Sequence, residues 1–166
     1  MAEQPPLDPV PIIEALERHG VRHVIVGGIA ARLNGAPIVT GDLDITPATD
    51  EENLRRLVTA LDEFGATFRI GALTTGERIT IDVLAANEHI QATTPHGELD
   101  IVIRPAGTRG YDDLSRNAGR REVAPGITVA VASLDDVIRS KEAASRPKDR
   151  GQLPILRETL ERTRGA

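Results

Sequence analysis

Cysteine is absent from all 166 residues, as is tryptophan, and only one tyrosine, two phenylalanines and one methionine occur. Without cysteine, disulfides and thiolate chemistry are excluded. With aromatics at 2%, a core has to be built from Val, Ile, Leu and Ala. No apolar run approaches the roughly 20 residues of a membrane-spanning helix. Met1 to Pro11 lacks the apolar stretch that marks a secretory signal. The expectation is a soluble, cytoplasmic protein without a membrane partner. Positive charge is also in the minority: 20 Lys and Arg against 25 Asp and Glu give a net charge of −5. That excludes a uniformly basic coat for nucleic acid but leaves room for a local basic patch, and arginine concentrates in the C-terminal half. What is present is 40% hydrophobic residues in a length that suits one domain with a real core.

The apolar pattern predicts an α+β (α/β) chain with a mixed central sheet flanked by helices. Residues 1 to 8 are proline-rich and expected to be loose. Asp8 caps a helix from Pro9 to about His19, and Gly20 ends it. Arg22 to Val26 reads as a buried strand, then Gly27-Gly28 as a turn into a short helix, Ile29 to Leu33. Asp42 to Thr46 is the second strand. Thr49 or Asp50 caps a helix with a Leu54, Leu57, Val58, Leu61 stripe that closes at Gly65. Thr67 to Ile70 is a third strand, and Leu73 to Gly76 a turn. Arg78 to Leu84 alternates as a half-buried strand does. Strands at His89 to Thr94 and Glu98 to Ile103 follow, then a short helix, Tyr111 to Asn117. Short strands, Glu122 to Ala124 and Thr128 to Val131, flank the Pro125-Gly126 turn. Ser133 caps a helix to about Ala144. A last helical segment, Lys148 to Arg164, is interrupted early by Gly151 and Pro154. Residues 1–166 thus read as one domain, with 133–166 as its C-terminal helical part.

Chemistry concentrates between Val24 and Ile45. Strand side chains at i and i+2 share a face, so Asp42 and Asp44 project together while Leu43 and Ile45 face the core. Paired carboxylates repel unless they are exposed or share a divalent cation. Gly27 and Gly28, at the mouth of a helix, leave backbone N–H groups open to a phosphate. A two-metal site needs a carboxylate from a further strand. Asp100, between Leu99 and Ile101, is the candidate, and Asp82, between Ile81 and Val83, is its rival.

At these residues the chain resembles the nucleotidyltransferase superfamily. Its signature is a Gly-Gly or Gly-Ser turn after a strand and, beyond a short spacer, Asp-x-Asp flanked by apolar residues. Here Gly27-Gly28 and Asp42-Leu43-Asp44 are separated by thirteen residues. Ser133 to Asp149, with Lys141 on its helix and Arg146-Pro147-Lys148-Asp149 beyond it, is similar to the later motif of the AbiEii/MenT-like nucleotidyltransferases, which include toxins of bacterial toxin–antitoxin pairs. The resemblance covers residues 10 to 160.

It implies a polymerase-β-like nucleotidyltransferase fold. The implied activity is transfer of NMP from an NTP such as ATP to an acceptor hydroxyl, with Mg²⁺ (or Mn²⁺) as cofactor. The implied acceptor is RNA, at a tRNA 3′ end, and the implied protein partner is a cognate antitoxin. Asp42, Asp44 and Asp100 would bind metal. Asp100 would also help deprotonate the acceptor. Lys141, Arg146 and Lys148 would reach the triphosphate with the N–H groups of Gly27 and Gly28. Asp149 would hold one of these cations, and Thr40 would place a hydroxyl beside the metal. In one respect the chain departs from its relatives: they carry Arg-x-Thr-x-Asp where this chain has Ile38-Val39-Thr40-Gly41-Asp42. Arg32 or Arg104 is the candidate substitute. The alternatives are a nucleotide-binding module with weak or no transfer, and an enzyme that nucleotidylates proteins or small molecules.

Overall fold

A computed structural model describes residues 3–165 of the chain. The elements in order are α1 (Pro9–Arg18), β1 (His23–Val26), α2 (Gly27–Leu33), β2 (Asp42–Pro47), α3 (Glu51–Glu63), β3 (Thr67–Ile70), β4 (Leu73–Arg78) and α4 (Ile81–Ala86). They continue with β5 (His89–Thr94), β6 (Gly97–Val102), α5 (Tyr111–Asn117), β7 (Gly119–Ala124), β8 (Ile127–Val131), α6 (Leu134–Ala144) and α7 (Pro147–Arg164). The helices start where their caps dictate. Asp50 accepts from the Asn53 N–H at 3.2 Å, and Ser133 from the Asp136 N–H at 3.1 Å.

The eight strands of the described residues join one mixed sheet in the order β4-β3-β5-β6-β2-β1-β8-β7. β2 lies parallel to β6 and antiparallel to β1, and β1 lies parallel to β8. Leu43, Ile45, Leu99 and Ile101 are fully buried on one face of β2 and β6. Each such side chain contributes about 1.5–3 kcal/mol of transfer free energy. The residues between them, Asp42, Asp44, Glu98 and Asp100, therefore face the other way. β1 is buried along its whole length, with α2 and α5 packed against it.

Four expectations need correction. Residues 81–86 form α4, not the end of a strand: Thr80 Oγ1 accepts from the Val83 N–H at 3.2 Å, and Leu84 turns inward. The local cap overrides the alternating pattern. The strand lies earlier, at Leu73–Arg78 where a turn is predicted, and Gly71 at φ +56° makes the bend before it. α7 runs unbroken from Pro147 to Arg164 through Gly151 and Pro154. Leu153, Leu156 and Thr159 bury its inner side next to and beyond the proline. Finally, the chain before α1 is pinned rather than loose at its end. The Asp8 N–H donates to the His96 carbonyl at 2.8 Å, and Leu7 lies against Gly97. Met1 and Ala2 fall outside the described residues.

Candidate active site

β1 ends in extended Val26, and the chain turns at once into α2. Gly27 sits at φ +65°, where an added Cβ would lie 2.5 Å from Asp44 Oδ2. A Cβ on Gly28 would lie 2.7 Å from Thr40 Cβ. Both glycines are thus imposed by close approach: backbone meets the Asp44 carboxylate on one side and Thr40 on the other. The helix begins at Gly27 itself, two residues earlier than the sequence pattern predicts. The Thr40 hydroxyl donates to the Asp42 carbonyl at 3.3 Å, which fixes the loop that enters β2.

The parallel register of β2 and β6 sets Asp44 beside Asp100 and Asp42 beside Glu98. Four carboxylates therefore share one patch of sheet. Burial, then the negative charge of Asp100 and of Asp42, pushes Asp44 up to about 8, and the Lys141 ammonium offsets only part of this. Burial and Asp100 also raise Asp42, against the charges of Lys148 and Arg69. Asp100 Oδ1 is buried without a hydrogen-bond partner. His89 Nε2, on β5, lies 3.9 Å from that oxygen, and Asp100 raises the proton affinity of the imidazole.

Opposite the carboxylates stands a cationic clasp built by α6 and α7. Asp149 is 1% exposed and takes the Arg146 guanidinium through Nε at 2.7 Å and Nη2 at 3.3 Å. Its other neighbour is Lys141 Nζ, at 3.5 Å. Burial pushes the Asp149 proton affinity up, but the bonds from Arg146 and the charge of Lys141 prevail and hold it below the ordinary range. Asp149 thus orders two cations rather than one. Arg146 has only its remaining guanidinium edge to offer a ligand.

One cavity of about 530 Å³ unites these parts. Gly27, Gly28, Thr40, Asp42, Asp44, Asp100, Lys141, Arg146, Lys148 and Asp149 all line it. Asp82 does not; it is exposed on the first turn of α4. Of the two substitutes for the missing arginine, Arg104 lines the cavity, paired with Glu88. Arg32 lines a separate groove beside α1 and β7. His89, which lines the cavity, and Glu98, which neighbours Asp42 in the sheet without lining it, are additions that the sequence reading missed. Glu98 stands two residues before Asp100, so the strand period alone points to it.

Hard oxygen donors suit Mg²⁺ or Mn²⁺. The three crowded aspartates and the partnerless Asp100 oxygen fit such an ion, because a cation relieves the repulsion that otherwise forces a proton onto Asp44. Among the described residues no three His, Asp or Glu side chains are already arranged to hold a metal ion.

No protein-family model matches the chain, and neither does any curated protein. Solved structures do match in fold. The solution structure of the antibiotic-resistance factor ANT(2'')-Ia superposes with a TM-score of 0.60 at 17% identity, covering 91% of this chain and 81% of that one. The lincomycin-bound crystal structure of the lincosamide antibiotic adenylyltransferase LnuA gives 0.62 at 11% identity, covering 93% and 99%. The chain has the polymerase-β-like nucleotidyltransferase fold.

Proposed function

We propose that this protein is a metal-dependent nucleotidyltransferase that moves NMP from an NTP to an acceptor hydroxyl. The observation that carries the proposal is the in-register Asp44–Asp100 pair packed against Gly27, in one cavity with Lys141, Arg146 and Lys148. Asp42, Asp44 and Asp100 would hold Mg²⁺ (or Mn²⁺), which when bound neutralises charge on the attacking and leaving oxygens. The N–H groups of Gly27 and Gly28 and the three cations hold the triphosphate, with Asp149 keeping Lys141 and Arg146 aimed at it. Asp100 takes the proton of the acceptor hydroxyl. The oxygen attacks the α-phosphorus in line, and pyrophosphate leaves.

The AbiEii/MenT-like motif supports RNA, at a tRNA 3′ end, as acceptor, and a toxin role beside a cognate antitoxin. Small-molecule adenylylation is the second reading. LnuA, covered to 99% by this chain, is a lincosamide adenylyltransferase of comparable extent, so chain length does not argue against it. The test is incubation of the purified protein with labelled NTPs, Mg²⁺ or Mn²⁺, and either total RNA or small hydroxylic acceptors. Label in RNA that disappears in Asp42→Ala and Asp100→Ala supports the first reading. Label in neither pool overturns nucleotidyl transfer.

A further inference from the structure

The carboxylate face does not end at β6. In one register row, Asp44 on β2 is followed by Asp100 on β6, Gln91 on β5, Arg69 on β3 and Thr74 on β4. The next row runs Asp42, Glu98, Thr93, Thr67. Side chains in register share a face, so a polar strip extends outward from the site. It is open: the His89 side chain is 62% exposed, and Thr93 and Thr74 are exposed. Thr93 donates to both oxygens of Glu98, at 3.2 and 3.3 Å.

Most cations near the site already have partners. Lys141 and Arg146 hold Asp149, and Arg104 holds Glu88. The Arg69 side chain makes no hydrogen bond or ion pair among the described residues. It stands in the same register row as Asp44 and Asp100, two strands outward on the face those carboxylates share, and its charge favours the ionised forms of Asp42 and Glu98. Lys148 acts on Asp42 from the α7 side. The carboxylates thus lie between two seats for negative charge. In-line displacement puts the attacking oxygen and the leaving pyrophosphate on opposite sides of the phosphorus. If the triphosphate lies against Lys141, Arg146 and Lys148, the acceptor has to arrive over β5 and β3.

We propose that this strip is the acceptor seat and that Arg69 binds the terminal phosphodiester of an RNA 3′ end. The 3′ hydroxyl then lies at Asp100, loses its proton there and forms the new bond to the α-phosphorus as the bond to pyrophosphate breaks. Arg69 is two strand spacings from Asp100, about 10 Å between backbones, and its side chain shortens that span. This matches the few bonds that separate a ribose 3′ oxygen from the phosphate on its own 5′ side. A polycationic aminoglycoside would meet Arg69 with like charge. The assignment rests on the nucleotidyl-transfer reading and deepens it.

The experiment uses the full chain, wild type, Arg69→Ala and Arg69→Lys. MgATP binding is measured by titration. Binding of a single-stranded RNA oligomer with a free 3′ hydroxyl is measured by fluorescence anisotropy. The KM for the RNA in the transfer assay is compared with that for ATP. Arg69→Ala is expected to weaken the RNA interaction and raise its KM about tenfold, the loss of one charge-assisted contact, with KM for ATP unchanged; Arg69→Lys restores part of it. Unchanged RNA binding and KM in Arg69→Ala overturn the proposal, as does a wild type that binds MgATP but not the oligomer. Transfer to tobramycin, undiminished in Arg69→Ala, overturns it too. A wild type that binds neither probe overturns the nucleotidyl-transfer reading with it.

Discussion

At the scale of single residues, Asp44 is the most informative. Its proton affinity is raised in the fold from the ordinary 3.8 to about 8, so the folded state binds more protons than the unfolded one. Its contribution to stability is therefore largest at low pH and declines as pH rises between these values. Divalent cation replaces the proton. The expected outcome is a gain in Tm on adding Mg²⁺ that is larger at pH 8 than at pH 5, read by thermal denaturation, and abolished in Asp44→Asn. His23 works in the opposite sense. Burial lowers its proton affinity, although the Val21 carbonyl and Glu17 favour the charged form. It contributes stability above the ordinary histidine range that is lost as pH falls. In Asp44→Asn the loss of stability on the acid side, to which His23 and the depressed Asp149 both contribute, is expected to become more prominent in the pH–stability curve. Gly27→Ala meets both a left-handed backbone and the Asp44 carboxylate. It is expected to cost about 1–2 kcal/mol and to abolish MgATP binding, measured by calorimetric titration. Asp42, Asp44, Gly27 and Gly28 were legible because a two-residue strand period and a glycine pair leave few alternatives. His89 was not, since only pairing across strands brings it to Asp100.

At the scale of elements, the junction of α6 and α7 shows what a charge run can hide. Ser133 to Asp149 reads as helix, break and basic cluster. The fold adds a buried carboxylate on which two of the cations close. Asp149→Ala leaves Lys141 in a site where its side chain is 12% exposed, without its partner. We expect a loss of about 3–5 kcal/mol, seen in urea denaturation, together with weaker ATP binding. Pro154 is the reverse case. The sequence reading gave it authority to interrupt the helix, yet α7 continues through it, because Leu153 and Leu156 anchor both flanks in the core. Pro154→Ala is expected to raise stability by about 1–3 kcal/mol, recovering the hydrogen bond that proline forfeits. The stretch 78–84 misled for a related reason. Alternation over so few residues fits a strand and a capped helical turn equally, and the Thr80 cap decides.

At the scale of the whole molecule, legibility falls with sequence distance. The mixed sheet and its helices followed from local patterns. The parallel pairing of β2 with β6, which joins Asp44 to a residue 56 positions later, had no local signal. Alternation named Asp100 as a candidate, with Asp82 as its rival, but not the strand pairing that brings it beside Asp44. The same sheet supports a salt prediction. Net charge is −5, so overall electrostatics do not attract a polynucleotide, and any RNA binding has to come from a few local cations. Its affinity is expected to fall with salt at a slope of only about one to three released counterions, measured by anisotropy between low and moderate NaCl.

The order in which the cavity is assembled along the chain has a consequence for synthesis. The sheet carboxylates Asp42, Asp44 and Asp100 are in place by residue 100, whereas Lys141, Arg146 and Lys148, with the Asp149 that orders two of them, come with α6 and α7. A polypeptide terminated between those points carries mutually repelling aspartates and the glycine turn but none of the three cations that the proposed function assigns to a triphosphate. On the proposed function, nucleotide capture would be deferred until α6 and α7 have been made, and a product shortened before them is expected not to retain MgATP.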